Sequence, residues 1–223
     1  MKNFIFLVLL LPFQLLAQPF TKDEISRWEQ QAKQVTIIRD NWGIPHIYGK
    51  TDADAVFGLL YAQCEDDFKR VELNYITVLG RLAELKGESE LTADLMTRLL
   101  IDSSEAKADY NAAPAWLKKL LDAHADGINY YIYKHPNLKP SLLKRFQPWF
   151  HLLWTDGSIS AINIADITDA EVKNLYLEKS KGMGSVTKKM FEEKLTGSNG
   201  FAFSPSITKD HNAILYINPH VTF

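Results

Sequence analysis

The sequence predicts an α+β protein whose first part is mainly helical and whose last part starts a β-sheet. Apolar residues recur at helical spacing through residues 52–80 and again through 91–133. Near the other end, Phe201 and Phe203 alternate with small residues, and an apolar run at 213–217 follows a turn region. This pair predicts a hairpin, with strand structure beginning after Ser198. Two apolar strands make no stable sheet alone, so the sheet is expected to be incomplete.

The elements before the long helix form a short helix and a strand pair. Residues 22–33 carry apolar side chains on one face, which predicts an amphipathic helix. Residues 35–39 are rich in β-branched side chains and predict a strand. A turn cluster at 40–43 and an extended segment at 44–48 complete a strand–turn–strand unit.

The helical region has recognisable boundaries. Asp52 is predicted to be the N-cap of the helix over 52–80. Pro114 is predicted to be the first residue of a new helix inside the second helical stretch. Residues 137–148 are loop-like, and residues 154–156 are expected to cap a further helical region.

The first 17 residues have the layout of a secretory signal peptide. Met1-Lys2-Asn3 is basic, the segment 4–16 is almost wholly apolar, and Ala17 precedes Gln18. The apolar run is shorter than the roughly 20 residues of a membrane helix, so the mature chain is expected to have no membrane span. A buried N-terminal helix is the alternative. The signal peptide predicts a periplasmic or secreted protein.

Composition limits the classes of partner and cofactor. The 223 residues include 46% hydrophobic and 23% charged residues, typical of a soluble globular protein. A net charge of −2 gives no electrostatic footprint for nucleic acid. Cys64 is the one cysteine, which excludes an internal disulfide and a cysteine metal cage. In an apolar helical run it is expected to pack as a small hydrophobic residue and not to act as a nucleophile.

Ser198 is the main candidate for chemistry. It follows a hydrophilic segment, 178–196, which predicts an exposed linker. A nucleophilic serine needs a base, and the α-amino group of a serine at the start of a chain can provide one near neutral pH. Cleavage before Ser198 would create that amino group, and Gly197 leaves the carbonyl open to attack. The alternative is that Gly197-Ser198-Asn199 is only a turn.

Three segments resemble the penicillin acylase family of N-terminal nucleophile hydrolases, which includes penicillin, cephalosporin and acyl-homoserine-lactone acylases. The first is "VTIIRDNWGIPHIYGKTDADAVFGLLYAQCEDDFKRVE" and the second is "VLGRLAELKGE". The third is "GSNGFAFSPSITKDHNAILYINPH". The resemblance covers residues 35–90 and 195–223 well, and the stretch between them weakly.

The resemblance implies roles for four residues. Ser198 corresponds to the nucleophile that becomes the N-terminus of the β-subunit, and Gly197 to the residue before the cut. His220 falls where the family has a residue close to the nucleophile's amino group. Glu171 lies roughly where some members have a calcium ligand, although a solvated helix carboxylate is the favoured interpretation. No cofactor is expected for catalysis, and calcium would be structural.

The implied fold is the αββα sandwich of this hydrolase class. This chain would hold a signal peptide (1–17), an α-subunit region (18–177), a linker (178–197) and the start of a β-subunit (198–223). The implied function is hydrolysis of a linear amide in a small N-acylated substrate, by an αβ heterodimer formed through self-cleavage. The family's oxyanion hole lies beyond the third segment, so this chain alone is expected to be an inactive fragment or truncated product. A secreted, non-enzymatic helical binding protein is the competing hypothesis.

Other polar residues have structural interpretations. His46 follows Pro45 in a predicted strand and is expected to support the fold. The consecutive carboxylates at 65–67 could suggest glycosidase chemistry. On a helix they point in different directions, so they are expected to form salt bridges with Lys69 and Arg70.

Overall fold

The computed structural model describes residues 19–153, 167–177, 197–209 and 211–220. Its helices, in chain order, are α1 (Lys22–Ala32), α2 (Asp52–Val78), α3 (Leu82–Lys86), α4 (Leu91–Leu100), α5 (Ser103–Ala112), α6 (Ala115–Lys134) and α7 (Asp169–Leu177). The strands are β1 (Val35–Arg39), β2 (Pro45–Gly49), β3 (Gly197–Phe203) and β4 (Ile214–His220), and short 3₁₀ helices occupy Glu88–Glu90, Pro148–Leu153 and Pro205–Ile207. The helical part followed by a hairpin is confirmed.

The first two helices begin with the same capping arrangement. At α1, the Thr21 hydroxyl accepts a hydrogen bond from the Glu24 amide at 3.2 Å, and the Glu24 carboxylate accepts one from the Thr21 amide at 2.8 Å. At α2, Thr51 and Asp54 repeat this reciprocal pair. The N-cap of α2 is therefore Thr51, and the prediction of Asp52 is wrong by one residue. With a hydroxyl at the N-cap, the carboxylate three residues later accepts a hydrogen bond from the amide of the N-cap residue.

The β1–β2 hairpin lies against α2. The two strands pair antiparallel from Val35 opposite Gly49 to Arg39 opposite Pro45, as the sequence predicts. Gly58 on α2 makes this contact close, because a Cβ there would lie 2.6 Å from Val35 Cγ1 and 2.8 Å from Ile47 Cγ2. Absence of a side chain on the helix therefore allows the hairpin to approach it.

Helices α2 and α6 form the centre of the helical part. Their facing side chains make the main core, together with Leu82 on α3 and side chains of the loop after α6 and of the 3₁₀ helix at Pro148–Leu153. This core contains Leu60, Cys64, Phe68, Tyr75, Ile76, Leu82, Ile128, Leu143, Phe146 and Phe150. A second cluster joins α1 to the same pair of helices and contains Phe20, Trp28, Phe57, Ala123 and Tyr130.

Two buried polar side chains fix the loop after α6. Glu72 is 2% exposed, and its carboxylate accepts hydrogen bonds from the amides of Ser141, Leu142 and Leu143 at 2.7–2.9 Å. Asn129 donates to the Phe146 carbonyl and accepts from the Phe146 amide, both at 2.8 Å. These bonds replace the pairing that a helix or strand would otherwise give to buried backbone groups.

Several sequence predictions concern other parts of the chain. The signal peptide (1–17), the capping segment 154–156 and the linker 178–196 lie outside the described residues. The proposed division into subunits therefore stays a prediction. Among the residues that are described, no helix has the length and apolarity needed to cross a bilayer.

Candidate active site

The candidate nucleophile lies in the β3–β4 hairpin. The antiparallel register sets Gly197 opposite His220 and Ser198 opposite Pro219. The sequence prediction started the strand after Ser198, whereas the ladder begins at Gly197. Cross-strand pairing outweighs the weak intrinsic β-propensity of glycine and asparagine, which explains the difference.

The peptide bond between Gly197 and Ser198 is consequently part of a β-ladder. Directly opposed residues in such a ladder have Cα atoms about 4.5–5.5 Å apart. His220 is thus a cross-strand neighbour of the residue that precedes Ser198. At the level of the backbone, the hairpin therefore brings together Gly197, Ser198 and His220, the three positions predicted to take part in the chemistry.

Both faces of this hairpin carry exposed apolar side chains. Phe203 and Ile214 are directly opposed and share one face, and they are 42% and 51% exposed. Leu215 and Ile217 alternate with Ile214 along β4, share the other face, and are 68% and 62% exposed. A sheet with apolar residues on both faces is typical of the interior of a layered protein.

Glu171 has a capping function in the structure. Its carboxylate accepts hydrogen bonds from the Thr168 amide at 2.8 Å and hydroxyl at 2.7 Å, at the start of α7. Calcium requires six to eight oxygen ligands. Within the described part of the chain, no group of three or more His, Cys, Asp or Glu side chains could hold a metal ion. Calcium binding at Glu171 therefore stays a prediction.

His46 supports the turn of the first hairpin, as expected. Its Nε2 lies 3.1 Å from Asp40 Oδ2, while Asp40 Oδ1 accepts from the amides of Trp42 at 2.8 Å and Ile44 at 3.0 Å. The hydrogen bond from His46, followed by those from the two amides, lowers the pKa of Asp40. The aspartate thus fixes the turn in its ionised form.

The carboxylates at 65–67 pair only in part as predicted. Asp67 bonds to Arg70 at 3.1 Å, as expected. Glu65 and Asp66 instead contact Arg39 on β1, at 3.1 and 2.8 Å, which corrects the predicted pairing. The β1–β2 hairpin lies against α2, and this brings the guanidinium within reach of both carboxylates.

Cys64 is 1% exposed within the main core. Burial raises the pKa of its thiol to about 12. Because the thiolate is the reactive form of cysteine, the expectation of a packing residue is confirmed.

Two polar features escaped the sequence analysis. One is Glu72, which anchors a loop far along the chain. The other is a pair of imidazoles, His124 on α6 and His151 in the 3₁₀ helix, whose ring centroids are 4.2 Å apart. The only sequence signal for His124 is that it lies three and seven residues after Leu121 and Leu117, on the same face of the helix.

Comparison with known proteins identifies the family. The model of the penicillin amidase family matches residues 34–223. The chain belongs to the penicillin amidase family. This membership agrees with the resemblance carried by the two motif-rich ends of the sequence.

Several acylases are similar to this chain over part of their length. Penicillin acylase 2 proenzyme of a Pseudomonas strain is 35% identical over 98 residues, covering 44% of this chain and 13% of the relative. An acyl-homoserine lactone acylase of Pseudomonas syringae is 32% identical, covering 51% of this chain and 14% of the relative. Penicillin G acylase of Escherichia coli is 28% identical over 161 residues, covering 67% of this chain and 19% of the relative. The chain thus spans less than a fifth of each of these relatives.

The fold is also similar to a solved member. A thermostable penicillin G acylase from Alcaligenes faecalis matches with a TM-score of 0.51 and 16% sequence identity. The match covers 70% of this chain and 98% of that chain. It supports the N-terminal nucleophile hydrolase fold class.

Proposed function

We propose that this chain is part of an amidohydrolase that cleaves a linear amide in a small N-acylated substrate, with Ser198 as its nucleophile. The observation that carries the proposal is family membership over residues 34–223, a range that includes the Gly197–Ser198 pair. Relatives named as acylases of penicillins and of acyl-homoserine lactones support an N-acyl substrate.

The first proposed step is self-cleavage. Ser198 Oγ attacks the Gly197 carbonyl carbon, the C–N bond breaks, and the Gly197 acyl group moves from nitrogen to oxygen as an ester. Water then hydrolyses that ester, which leaves a carboxylate on Gly197 and a free amino group on Ser198. The backbone register supports this assignment, since His220 lies opposite Gly197 at the bond to be cut.

The second proposed step is hydrolysis of the substrate. The free amino group of Ser198 takes the proton from Oγ, directly or through one water, while Oγ attacks the substrate amide carbon. The amine of the substrate leaves with a proton, and water then releases the carboxylic acid from the acyl-enzyme. His220 would help to set the environment of the amino group and would not be the base. The product of cleavage would be an αβ heterodimer.

The test of self-cleavage uses the longest reading frame that contains these 223 residues. Intact mass spectrometry of the wild-type protein should find two chains, produced by a cut between residues 197 and 198 of the precursor. Ser198→Ala should give one uncut, inactive chain, and Ser198→Cys should retain cutting because a thiol also attacks carbonyls. Ser204→Ala, an exposed serine on the same hairpin, is the matched control and should cut normally. If the Ser198→Ala protein is still cut into two subunits, a separate protease makes the cut and self-cleavage is contradicted.

We also propose that the protein is exported and that its mature chain begins near Gln18. The basic start and apolar run before Ala17 support this. N-terminal sequencing of protein from a periplasmic extract should begin near Gln18. An intact Met1 in that fraction would contradict export by cleavage of a signal peptide.

A further inference from the structure

A groove in the helical part has the size of a small-molecule site. It lies between α2 and α6, next to the 3₁₀ helix at Pro148–Leu153, and has a volume of about 550 Å³. Binding sites for small ligands commonly have volumes of roughly 300–1,000 Å³ and mainly apolar walls. The apolar lining here is Val56, Leu59, Leu60, Val71, Leu117, Leu120 and Leu121.

The remaining lining is polar and uncharged near neutral pH. It includes Gln63, Asn74 and a cluster of Tyr75, His124 and His151. The Tyr75 hydroxyl lies 3.3 Å from His124 Nε2, and the two imidazole rings are 4.2 Å apart. Burial, followed by the neighbouring His151, lowers the pKa of His124 to about 3, and burial lowers the pKa of His151. Both rings are therefore neutral at pH 7.

The absence of charge selects the kind of ligand. The residues that line the groove include no Asp, Glu, Lys or Arg. A charged ligand would lose its hydration there without an opposite charge to compensate. Neutral imidazoles and carboxamides each offer both a donor and an acceptor. A neutral carboxamide, which also donates and accepts, is complementary to such a group of side chains.

We propose that this groove binds an uncharged amphiphile: an acyl chain along the leucine walls, ending in a carboxamide beside Asn74 and His124. The lining residues come from α2, α6 and the 3₁₀ helix, and none from the hairpin that carries Ser198. The proposed binding site therefore belongs to the helical part of the chain. It stands or falls independently of the chemistry proposed for Ser198.

Calorimetry on the purified chain carrying Ser198→Ala tests the proposal, since this variant prevents hydrolysis from interfering. Octanamide is expected to bind saturably with one molecule per chain at pH 7.5. Octanoate, which has the same apolar chain and a charge, should bind at least about tenfold more weakly. Acetamide, which lacks the apolar chain, should show no binding. Equal affinity for octanamide and octanoate, or no saturable binding, overturns the proposal.

Variants locate the ligand. Leu59→Asp places a charge in the groove at a residue that is 42% exposed, and it should abolish octanamide binding. Leu99→Asp on α4, at a residue that is 41% exposed and outside the groove, is the matched control and should bind normally. His124→Phe keeps an aromatic ring without polar atoms and should weaken octanamide binding. Circular dichroism confirms that each variant is folded.

Two results would assign the groove differently. Octanamide binding that Leu59→Asp leaves unchanged would place the ligand elsewhere on the protein. Self-association that Leu59→Asp abolishes, without any octanamide binding, would make the groove an interface with a second copy of the chain. Either result overturns the proposal.

Discussion

At the scale of single residues, burial determines what the titratable side chains can do. Cys64 and His124 have pKa values displaced in the direction that keeps each group neutral. Desolvation is the only cause given by the surroundings of Cys64 and the larger cause at His124, where the neighbouring His151 lowers the pKa further. Two measurable consequences follow, one for thiol reactivity and one for stability against acid.

Cys64 is expected to resist thiol reagents in the folded protein. Burial raises its pKa to about 12, so the thiolate is scarce at pH 8 and the sulfur is enclosed in the core. Reaction with a chromogenic disulfide should be at least about a hundredfold slower in native protein than in denaturant. Because the sequence contains one cysteine, the signal reports this residue alone. Rapid labelling of native protein would show that the core around α2 opens readily.

His124 is expected to make stability depend on pH. Its pKa is about 3 in the folded state and about 6.5 in an unfolded chain. The stabilisation is therefore complete above about pH 6.5 and is lost as pH falls toward about 3, because the unfolded chain binds the proton first. The free energy of unfolding should fall by about 2 kcal/mol from this residue between about pH 7 and about pH 5.

Urea denaturation at several pH values measures this slope. His124→Phe removes the titrating group, so its stability should vary less with pH over the same range. The Glu24 carboxyl, whose pKa the hydrogen bond from Arg145 lowers to about 2, loses its contribution only below about pH 4.5 and does not interfere. An unchanged slope in His124→Phe would assign the dependence to other groups.

At the scale of elements, glycines set how closely the elements approach. Helices α2 and α6 cross where Gly127 faces Phe57, and a Cβ at Gly127 would lie 2.4 Å from the Phe57 carbonyl oxygen. A backbone atom cannot move aside as a flexible side chain can. This crossing therefore depends on the absence of a side chain at one position.

Gly127→Ala is expected to destabilise the protein although alanine is the better helix former. Overpacking typically costs roughly 1–3 kcal/mol, which exceeds the gain of about 1 kcal/mol in helix propensity. Lys119→Ala, at an exposed position of the same helix, should change stability by less than about 0.5 kcal/mol. Thermal and urea unfolding of both variants measures the difference. A Gly127→Ala protein as stable as the wild type would mean that the two helices can separate at little cost.

The sequence predicted what local patterns determine. The β1–β2 hairpin and helix α2 were predicted almost to the residue, because turn residues and apolar periodicity are local signals. The contacts of Arg39 with Glu65, and of Glu72 with Ser141, were not predicted. They join residues 26 and 69 positions apart, which no local pattern relates. At the candidate site, the Gly197–Ser198 pair was singled out by the hydrophilic segment before it and by the resemblance, whereas its position inside a strand required the pairing partner.

At the scale of the whole molecule, the β3–β4 hairpin leaves apolar surface in contact with solvent. Phe201 and Leu215 lie on opposite faces of the hairpin, and they are 55% and 68% exposed. Exposed strand edges with apolar faces promote pairing between chains. The 223-residue chain is therefore expected to self-associate.

Light scattering across a concentration series measures this association. Phe203→Lys combined with Leu215→Lys places a charge on each face and should shift the chain toward monomer. Leu91→Lys, at a residue of α4 that is 40% exposed, is the control and should associate like the wild type. A wild-type chain that stays monomeric at high concentration would contradict the prediction.

The carboxylate of Glu72 has a consequence for how the molecule exchanges its amide hydrogens with solvent. The amides of Ser141, Leu142 and Leu143 belong to a loop, yet all three donate to a side chain that is 2% exposed on α2. Deuterium can reach them only when the loop leaves the helix. Their protection factors should match those of the central turns of α2 and fall together in Glu72→Gln. The exchange rates of these loop amides would then measure opening of the whole helical part.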